Sequence, residues 1–364
     1  MSMKDMEPEL NEAIGRILDR ERALLAETIT SRQYEAQPEL AAKYGEAGRV
    51  KCLQDANYHL SYLAEAVAAS SHSLFSDYIG WAKVMLGARG VPAADLSRNL
   101  LIMSEVVRER LPPEMGLVVQ EYFEVGLNRL PALPSDLPPL FEDAAAAHAD
   151  LAGKFLRFLL NGERHLASRL ILDAVDSGVE VRDIYLHVFQ PSQREIGRLW
   201  QLNRVSVAQE HFCTAATQLI MAQLYPRIFR TEKNGRRIVA TSVGGELHEI
   251  GVRIITDFFE MEGWDTYYLG ANSPTNAILQ ALSDRRADVL AVSATMTFHI
   301  RAVENLIAAV RASEDLKAVK VLVGGYPFNV EPELWKRVGA DAYAADAAEA
   351  VAMAGSLSNS SGEL

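Results

Sequence analysis

Apolar positions recur at intervals of three and four through residues 1–130, as in Leu53, Tyr58, Tyr62, Leu63 and Val67, and no stretch there alternates with period two for long. That rhythm predicts helix nearly throughout, an all-α domain. The segment PALPSDLPP carries Pro131, Pro134, Pro138 and Pro139, cannot continue a helix, and reads as a semi-rigid linker over 131–143. The helical period returns over 144–232, with breaks expected at Asn161-Gly162, Ser177-Gly178 and Pro191, which divide it into a bundle of about four helices. From Lys233 the pattern changes again. Short runs rich in β-branched residues, RRIVATSV, DTYYLG, DVLAVSAT, KVLVGG and DAYA, alternate with helices expected from about Glu249, Pro274, His299 and Glu331 and a last helix. Such alternation predicts a parallel sheet covered on both faces, a flavodoxin-like doubly wound domain over 233–357 whose ligands sit at the carboxyl ends of the strands. The polar end SNSSGEL reads as a disordered tail over 358–364.

Composition narrows the class without changing this layout. A length of 364 residues suits two or three domains, and 49% hydrophobic with 23% charged residues is a globular balance. No apolar run approaches the roughly 18–20 residues that cross a bilayer, and the N-terminus lacks the apolar core of a signal peptide, so the expectation is a cytoplasmic protein without a membrane partner. A net charge of −12 argues against nucleic acid, and the basic cluster Lys233 to Arg237 reads as a solvated connector. Cys52 and Cys213 are the two cysteines, which is neither a disulfide framework nor a zinc cluster.

Candidate chemistry lies on the strand ends of the doubly wound domain. The first strand runs into Gly244-Gly245-Glu246-Leu247-His248-Glu249-Ile250-Gly251. A loop imidazole there can ligate a metal through one ring nitrogen while the other donates to a carboxylate, for which Glu246 is the candidate. Taken alone, such a pair is ordinarily a surface pair. Ser293 and Thr295 in VSAT and the pair Gly324-Gly325 in VLVGG mark later strand ends, with 41 residues between Gly251 and Ser293 and 30 between Ser293 and Gly324.

This set resembles the signature of the cobalamin-binding domains of methionine synthase, methylmalonyl-CoA mutase and their relatives: an acidic residue, one residue, His, two residues, Gly, a Ser about forty residues on, then Gly-Gly. The resemblance implies that the dimethylbenzimidazole tail leaves cobalt and threads into the sheet while a histidine takes its place. His248 is then the metal ligand, Glu246 its partner, Gly251 the opening for the tail, Ser293 a hydrogen-bonding group for it, Thr295 a further cofactor contact, and Gly324 with Gly325 the floor. The second gap is slightly longer than the commonest spacing, which shifts a loop.

Upstream, Trp200, the nine residues QLNRVSVAQ and the pair Glu210-His211 follow one another. A tryptophan in a bundle is usually core and a Glu-His pair usually surface. Placed directly before the cobalamin motif, the segment is similar to the cap of light-sensing cobalamin proteins typified by the CarH-type repressors of carotenoid synthesis, where these residues cradle an upper adenosyl group. That resemblance implies adenosylcobalamin as cofactor, photolysis of its Co–C bond, and a homo-oligomer whose assembly changes with light. There are two departures. The DNA-binding segment of those repressors is missing, so output passes to an unidentified protein effector. Gln201 stands where they carry a cobalt-seizing histidine, so His211 or water takes the upper position instead. A corrinoid carrier that shuttles methyl groups for a methyltransferase system is the alternative, and a mutase subunit is excluded by the lack of a substrate barrel. No catalytic constellation exists apart from the cofactor, so the expectation is a sensor and not an enzyme. Residues 1–130 hold Tyr58, His59, Tyr62, His72, Tyr78 and Trp81, by default a packed core. In order of parts the chain is similar to the photocobilins, which implies biliverdin in this domain, held noncovalently with Cys52 as a small core residue.

Overall fold

The computed structural model describes residues 3–140 and 148–359, with side chains from 8 to 140 and from 148 to 357. The end of the expected linker, the start of the expected bundle and the last five residues of the expected tail lie outside the described residues. By contacts the chain divides into two units, one of residues up to Ser135 with Met296–Arg301, the other of Asp136–Thr295 with Ala302 onward.

The first unit is helical: α1 (Met3–Ala36), α2 (Glu39–Ala68), α3 (His72–Gly87), α4 (Ala93–Arg110) and α5 (Pro113–Arg129). Two of its features follow from single residues. Gly45 takes φ 62° and bends α2, a conformation glycine adopts without the Cβ penalty. Lys83 is buried in α3, and its Nζ donates to the carbonyls of Leu130 and Leu133 at 2.9 and 2.6 Å. Those carbonyls have no helical partner beyond the end of α5, so the ammonium caps the helix and is itself satisfied.

The second unit joins a cap of helices to a five-stranded sheet. The strands are β1 (Arg237–Val243), β2 (Asp265–Ser273), β3 (Val289–Ser293), β4 (Lys320–Gly324) and β5 (Ala342–Ala344), all parallel, in the order β2-β1-β3-β4-β5. Strands β1 and β3 are buried almost end to end, as parallel strands covered on both faces must be. The strand order reverses at β1, so the crevice between the carboxyl ends of β1 and β3 is where a doubly wound sheet presents a site. Between the strands run α11 (Ile250–Met261), α12 (Thr275–Arg285) and α13 (Ile300–Ala312), then α14 (Tyr326–Val330) and α15 (Leu334–Arg337), with α16 (Ala347–Asn359) last.

Here the fourth crossover departs from the single helix expected from Glu331. Pro327 sits in the first turn of α14, where its missing N–H costs nothing, and Pro332 then forces Glu331 out of the helical region to φ −127°, ψ 86°. The tail also departs: α16 continues through Ser358 and Asn359. The basic cluster is no free connector either. Lys233 pairs with buried Glu260 and donates to the Trp264 carbonyl at 2.7 Å, and Arg236 lies over the Trp264 ring.

The cap consists of α6 (Ala149–Leu160), α7 (Arg164–Asp176), a continuous rod from α8 (Val181–Ile184) to α9 (Gln190–Gln201), and α10 (Val207–Ile228). Pro191 does not break the rod. It lacks an N–H to donate and its ring crowds the turn before it, and the helix opens into a π-helical turn over Tyr185–Phe189 that makes room. The third interruption falls at 202–206, where Asn203 turns the chain with φ 56° and Ser206 restarts it through a capping box with Gln209. Helix α11 belongs to both layers. Val252 and Phe259 pack into the sheet core, whereas Ile254 and Phe258 join the cap core of Phe155, Ile171, Phe189 and Leu224. Tyr185 of the cap donates to Asp257 of α11 at 2.7 Å, and burial pushes that carboxyl up to about 6.

Gly325, following β4, has φ 103°, and a Cβ there would stand 2.0 Å from the Ala294 carbonyl oxygen. Gly325→Ala is expected to cost about 3 kcal/mol or more, against about 1 kcal/mol for Gly162→Ala, whose φ is 77° but whose surroundings are open. Urea unfolding of the full chain followed by far-UV circular dichroism compares the two; equal midpoints would show that the tight approach carries no constraint.

Candidate functional site

The loop from Gly244 to Glu249 leaves β1 at the point where the strand order reverses. Its acidic residue does not face water: the Glu246 side chain is 1% exposed. One carboxylate oxygen accepts from the backbone N–H of His248 at 3.0 Å and faces His248 Nδ1 at 2.6 Å; the other accepts from the backbone N–H of Thr295, after β3, at 2.8 Å. A carboxylate is only an acceptor, so Nδ1 carries the proton in that pair and Nε2 keeps the lone pair. The imidazole is 57% exposed, which leaves Nε2 turned to the open side of the loop. The hydrogen bond that Nδ1 donates to Glu246 holds the imidazole above its ordinary value, opposed by burial and reinforced by the charges of Glu246 and of Glu210 in the cap.

Below this loop the sheet is stripped of bulk. Ser242, Ser293 and Gly324 are register partners across β1, β3 and β4, a row of small residues at the carboxyl edge. Ser242 Oγ donates to the His248 carbonyl at 3.2 Å. A Cβ on Gly251 would lie 3.9 Å from Ser293 Oγ, so the first turn of α11 and the end of β3 adjoin with only small atoms between them. Gly324 is required because a Cβ would come 2.8 Å from the Ala344 carbonyl oxygen, and Gly325 because of its left-handed φ. Thus Glu246, His248, Gly251, Ser293, Thr295, Gly324 and Gly325, spread over 80 residues of sequence, lie along one edge of one sheet. Thr295 contributes through its backbone N–H, which its side-chain type did not announce.

Cap residues frame the same space from another side. Trp200 lies in the last turn of α9 and Glu210 and His211 near the start of α10, on either side of the turn 202–206 that joins the two helices. Glu210 accepts from Thr214 Oγ1 at 2.9 Å, and His211 is largely exposed. Gln201 is 6% exposed and buried in the cap. Gln218 of α10 donates to Glu249, which also accepts from Tyr268 of β2, so the residue after His248 fastens the cap to the sheet.

This arrangement fits a cobalamin. It offers one imidazole with a fixed tautomer, a slot of small residues beneath it, and the buried hydroxyl of Ser293 at the end of β3. Among the described residues no three His, Cys, Asp or Glu form a group that could hold a metal ion. Sequence reasoning missed Ser242, the Gln218–Glu249 tie, and Asn272, which accepts from Gly245 N–H at 2.8 Å. It also missed two large apolar side chains exposed beside the slot, Leu247 and Tyr326.

In the first unit the aromatic stretch divides. His59, Tyr62 and Tyr78 are buried, with His59 Nδ1 2.7 Å from Tyr78 Oη and the two tyrosine rings stacked at 3.6 Å. Burial pushes His59 down to about 4, so it is neutral. His72 stacks on Tyr122, Trp81 is half-buried and Tyr58 is exposed. On α2, Cys52 and Asp55 share a face one turn apart, and burial pushes the thiol up to about 11 and the carboxyl up to about 6.

Comparison with known proteins accounts for both units. Residues 236–352 and 151–225 each match a model described as a B12 binding domain, and residues 8–130 match the Phycobilisome protein model. Dimethylamine corrinoid protein 2 of Methanosarcina acetivorans is 31% identical over 164 residues, 45% of this chain and 73% of that protein. Monomethylamine corrinoid protein 1 of Methanosarcina mazei is 25% identical over 214 residues, 57% of this chain and 97% of that protein. The solved structure of the Methanosarcina barkeri monomethylamine corrinoid protein agrees in fold, with TM-score 0.51 and 23% identity over 57% of this chain and 98% of its own. The chain therefore belongs to the corrinoid protein family and binds cobalamin between the helical cap and the Rossmann-like domain.

Proposed function

We propose that the cap and sheet form a corrinoid carrier, with His248 as the lower ligand of cobalt and the cap over its upper face. The observation that supports this reading is the match to methylamine corrinoid proteins through both layers, and it favours a carried methyl group over the light-sensing role expected from the cap residues. Bound cobalamin supplies a cobalt that accepts and releases a group on its upper side. The chain supplies the rest: Glu246 keeps the proton on Nδ1, Ser293 meets the buried tail, and the slot of small residues excludes water from it. A methyltransferase is then the partner, and the chain does no chemistry of its own.

One specific observation favours the second reading, a light sensor that holds adenosylcobalamin. Residues 8–130 match the Phycobilisome protein model, a stretch outside the B12-binding matches. A buried carboxyl such as Asp55, whose ionised form burial disfavours, gains from a pigment whose pyrrole N–H groups hydrogen-bond to it, and the neighbouring tyrosines supply a flat apolar wall. On this reading the first unit holds biliverdin or a related linear tetrapyrrole, and a homo-oligomer or a protein effector receives the signal.

His248→Ala is expected to abolish the histidine-ligated, tail-displaced spectrum of the bound cofactor, and an unchanged spectrum sinks the ligand assignment. In the apoprotein, Glu246→Gln is expected to lower the titration midpoint of His248 measured by NMR. The sign follows from the raised value: the Glu246 pair stabilises the fold below the ordinary histidine pKa, and that contribution fades as pH rises through the folded-state value. The two readings separate on assembly. A carrier gives coincident size-exclusion profiles for the adenosylcobalamin form in the dark and after green light, whereas a sensor gives profiles that differ, with methylcobalamin supporting the change less well. Co-expression with a source of biliverdin tests the first unit: a red absorption band that Asp55→Asn weakens is expected, and no red band at saturating biliverdin makes the unit a helical interaction module.

A further inference from the structure

We propose that Asn272 is the positioning residue of the His248 loop, the group that holds the imidazole where it can ligate. The inference rests on His248 being the cobalt ligand and adds what keeps its loop in place. Strand β2 does not end at Gly270 as its sequence suggests but runs to Ser273, and its register against β1 slips twice, between Ala240 and Thr241 and again between Thr241 and Val243. Over the second slip Thr241 pairs with Gly270 and Val243 with Ser273, so one extra residue of β2 is left over. Bulges of this kind re-aim side chains next to sites.

Asn272 lies in that bulge with φ 53°, a left-handed conformation that side chains rarely adopt and that asparagine tolerates better than most. Its Oδ1 accepts from the N–H of Gly245 at 2.8 Å, and its own N–H donates to the carbonyl of Glu246 at 2.9 Å. One residue therefore grips the loop on both sides of the peptide that leads into Glu246. The other restraints come from different directions: Glu246 N–H turns back to Val243, Ser242 holds the His248 carbonyl, and the Glu246 carboxylate reaches Thr295. None of them fixes Gly245, which has φ 89° and no side chain to limit its travel. Glycine would satisfy the left-handed φ at 272 at lower cost, so the side chain is kept for its oxygen.

The test uses the full chain and hydroxocobalamin as the probe, with Asn272→Gly, Asn272→Ala and Asn272→Asp beside His248→Ala. Asn272→Gly keeps the backbone freedom and the N–H but loses the acceptor; Asn272→Asp keeps both the acceptor and tolerance of the φ. Affinity is expected to fall about tenfold in the Gly and Ala variants, the size of one net hydrogen bond. Their bound cofactor is expected to show a reduced histidine-ligated fraction by absorbance. Asn272→Asp is expected to stay within about twofold of the parent, on the same conversion. Apoprotein circular dichroism should not distinguish the Gly variant from the parent. Parent-like affinity and spectrum in the Gly variant overturns the proposal, and so does an Asp variant that behaves like Gly. If His248→Ala leaves the parent spectrum intact, the ligand reading itself has failed, and the two failures are distinguishable.

Discussion

A buried carboxylate organises the corrinoid half of this chain. Isolated in a protein interior, the ionised Glu246 would be costly, and the fold meets that cost with hydrogen bonds from two different loops. One of those loops follows β1 and carries His248; the other follows β3 and carries Thr295. Because strand order reverses between these strands, their carboxyl ends splay and leave a crevice that only a crossing interaction can span. The same three contacts set the tautomer of the imidazole and the separation of the loops. Tautomer, reach and cleft width are therefore consequences of one side chain.

Helix α11 extends this constraint to the cap. It starts directly after the His248 loop, lays Val252 and Phe259 on the sheet, and turns Ile254 and Phe258 to the bundle. With Gln218 fixed to Glu249 and Tyr185 to Asp257, a displacement of α10 or of the rod ending in Gln201 pulls on residues beside the His248 loop. Asp257 is held neutral more readily than an ordinary carboxyl because it is buried at this junction. The cap and the sheet thus act as one body in which the contents of the upper space and the position of His248 are mechanically related, whichever group the upper space holds.

Much of this was legible from residues alone, for a physical reason. Parallel strands buried on both faces read as continuous runs such as IVATSV and VLAVS, and the glycine pair that ends VLVGG is forced by backbone approaches of 2.8 and 2.0 Å, so sequence and geometry carry one message there. What escaped were features made by pairs of elements. Pro191 reads as a break but is absorbed by a π-helical turn, an option that tertiary packing around Tyr185 and Phe189 decides. Nothing in the sequence after DTYYLG singles out Asn272, and only the slipped register of β2 brings it to the loop after β1. The aromatic stretch of the first unit was ambiguous for the same reason: His59, Tyr62 and Tyr78 pack on one another, while Asp55 lies half-buried on the same helix.

That asymmetry bears on how a family plan acquires new behaviour. In the corrinoid half, three residues at the slot are fixed by the chain's own packing: Gly324 by β5, Gly325 by the loop after β3, Ser242 by the His248 carbonyl. Little there can vary without loss of the fold. The cap residues Glu210 and His211 are less restrained: they lie near the start of a helix already capped by Ser206 and Gln209, Glu210 accepts from Thr214, and the His211 side chain meets mostly water. Gln201, buried in the last turn of α9, sets the chemistry available at the end of that helix. Substitution is therefore cheaper at the start of α10 than at the strand ends, where an added Cβ meets backbone at once. A carrier and a sensor can share one sheet, one histidine and one carboxylate, and differ in a few residues at the junction of α9 and α10 and in the domain attached upstream.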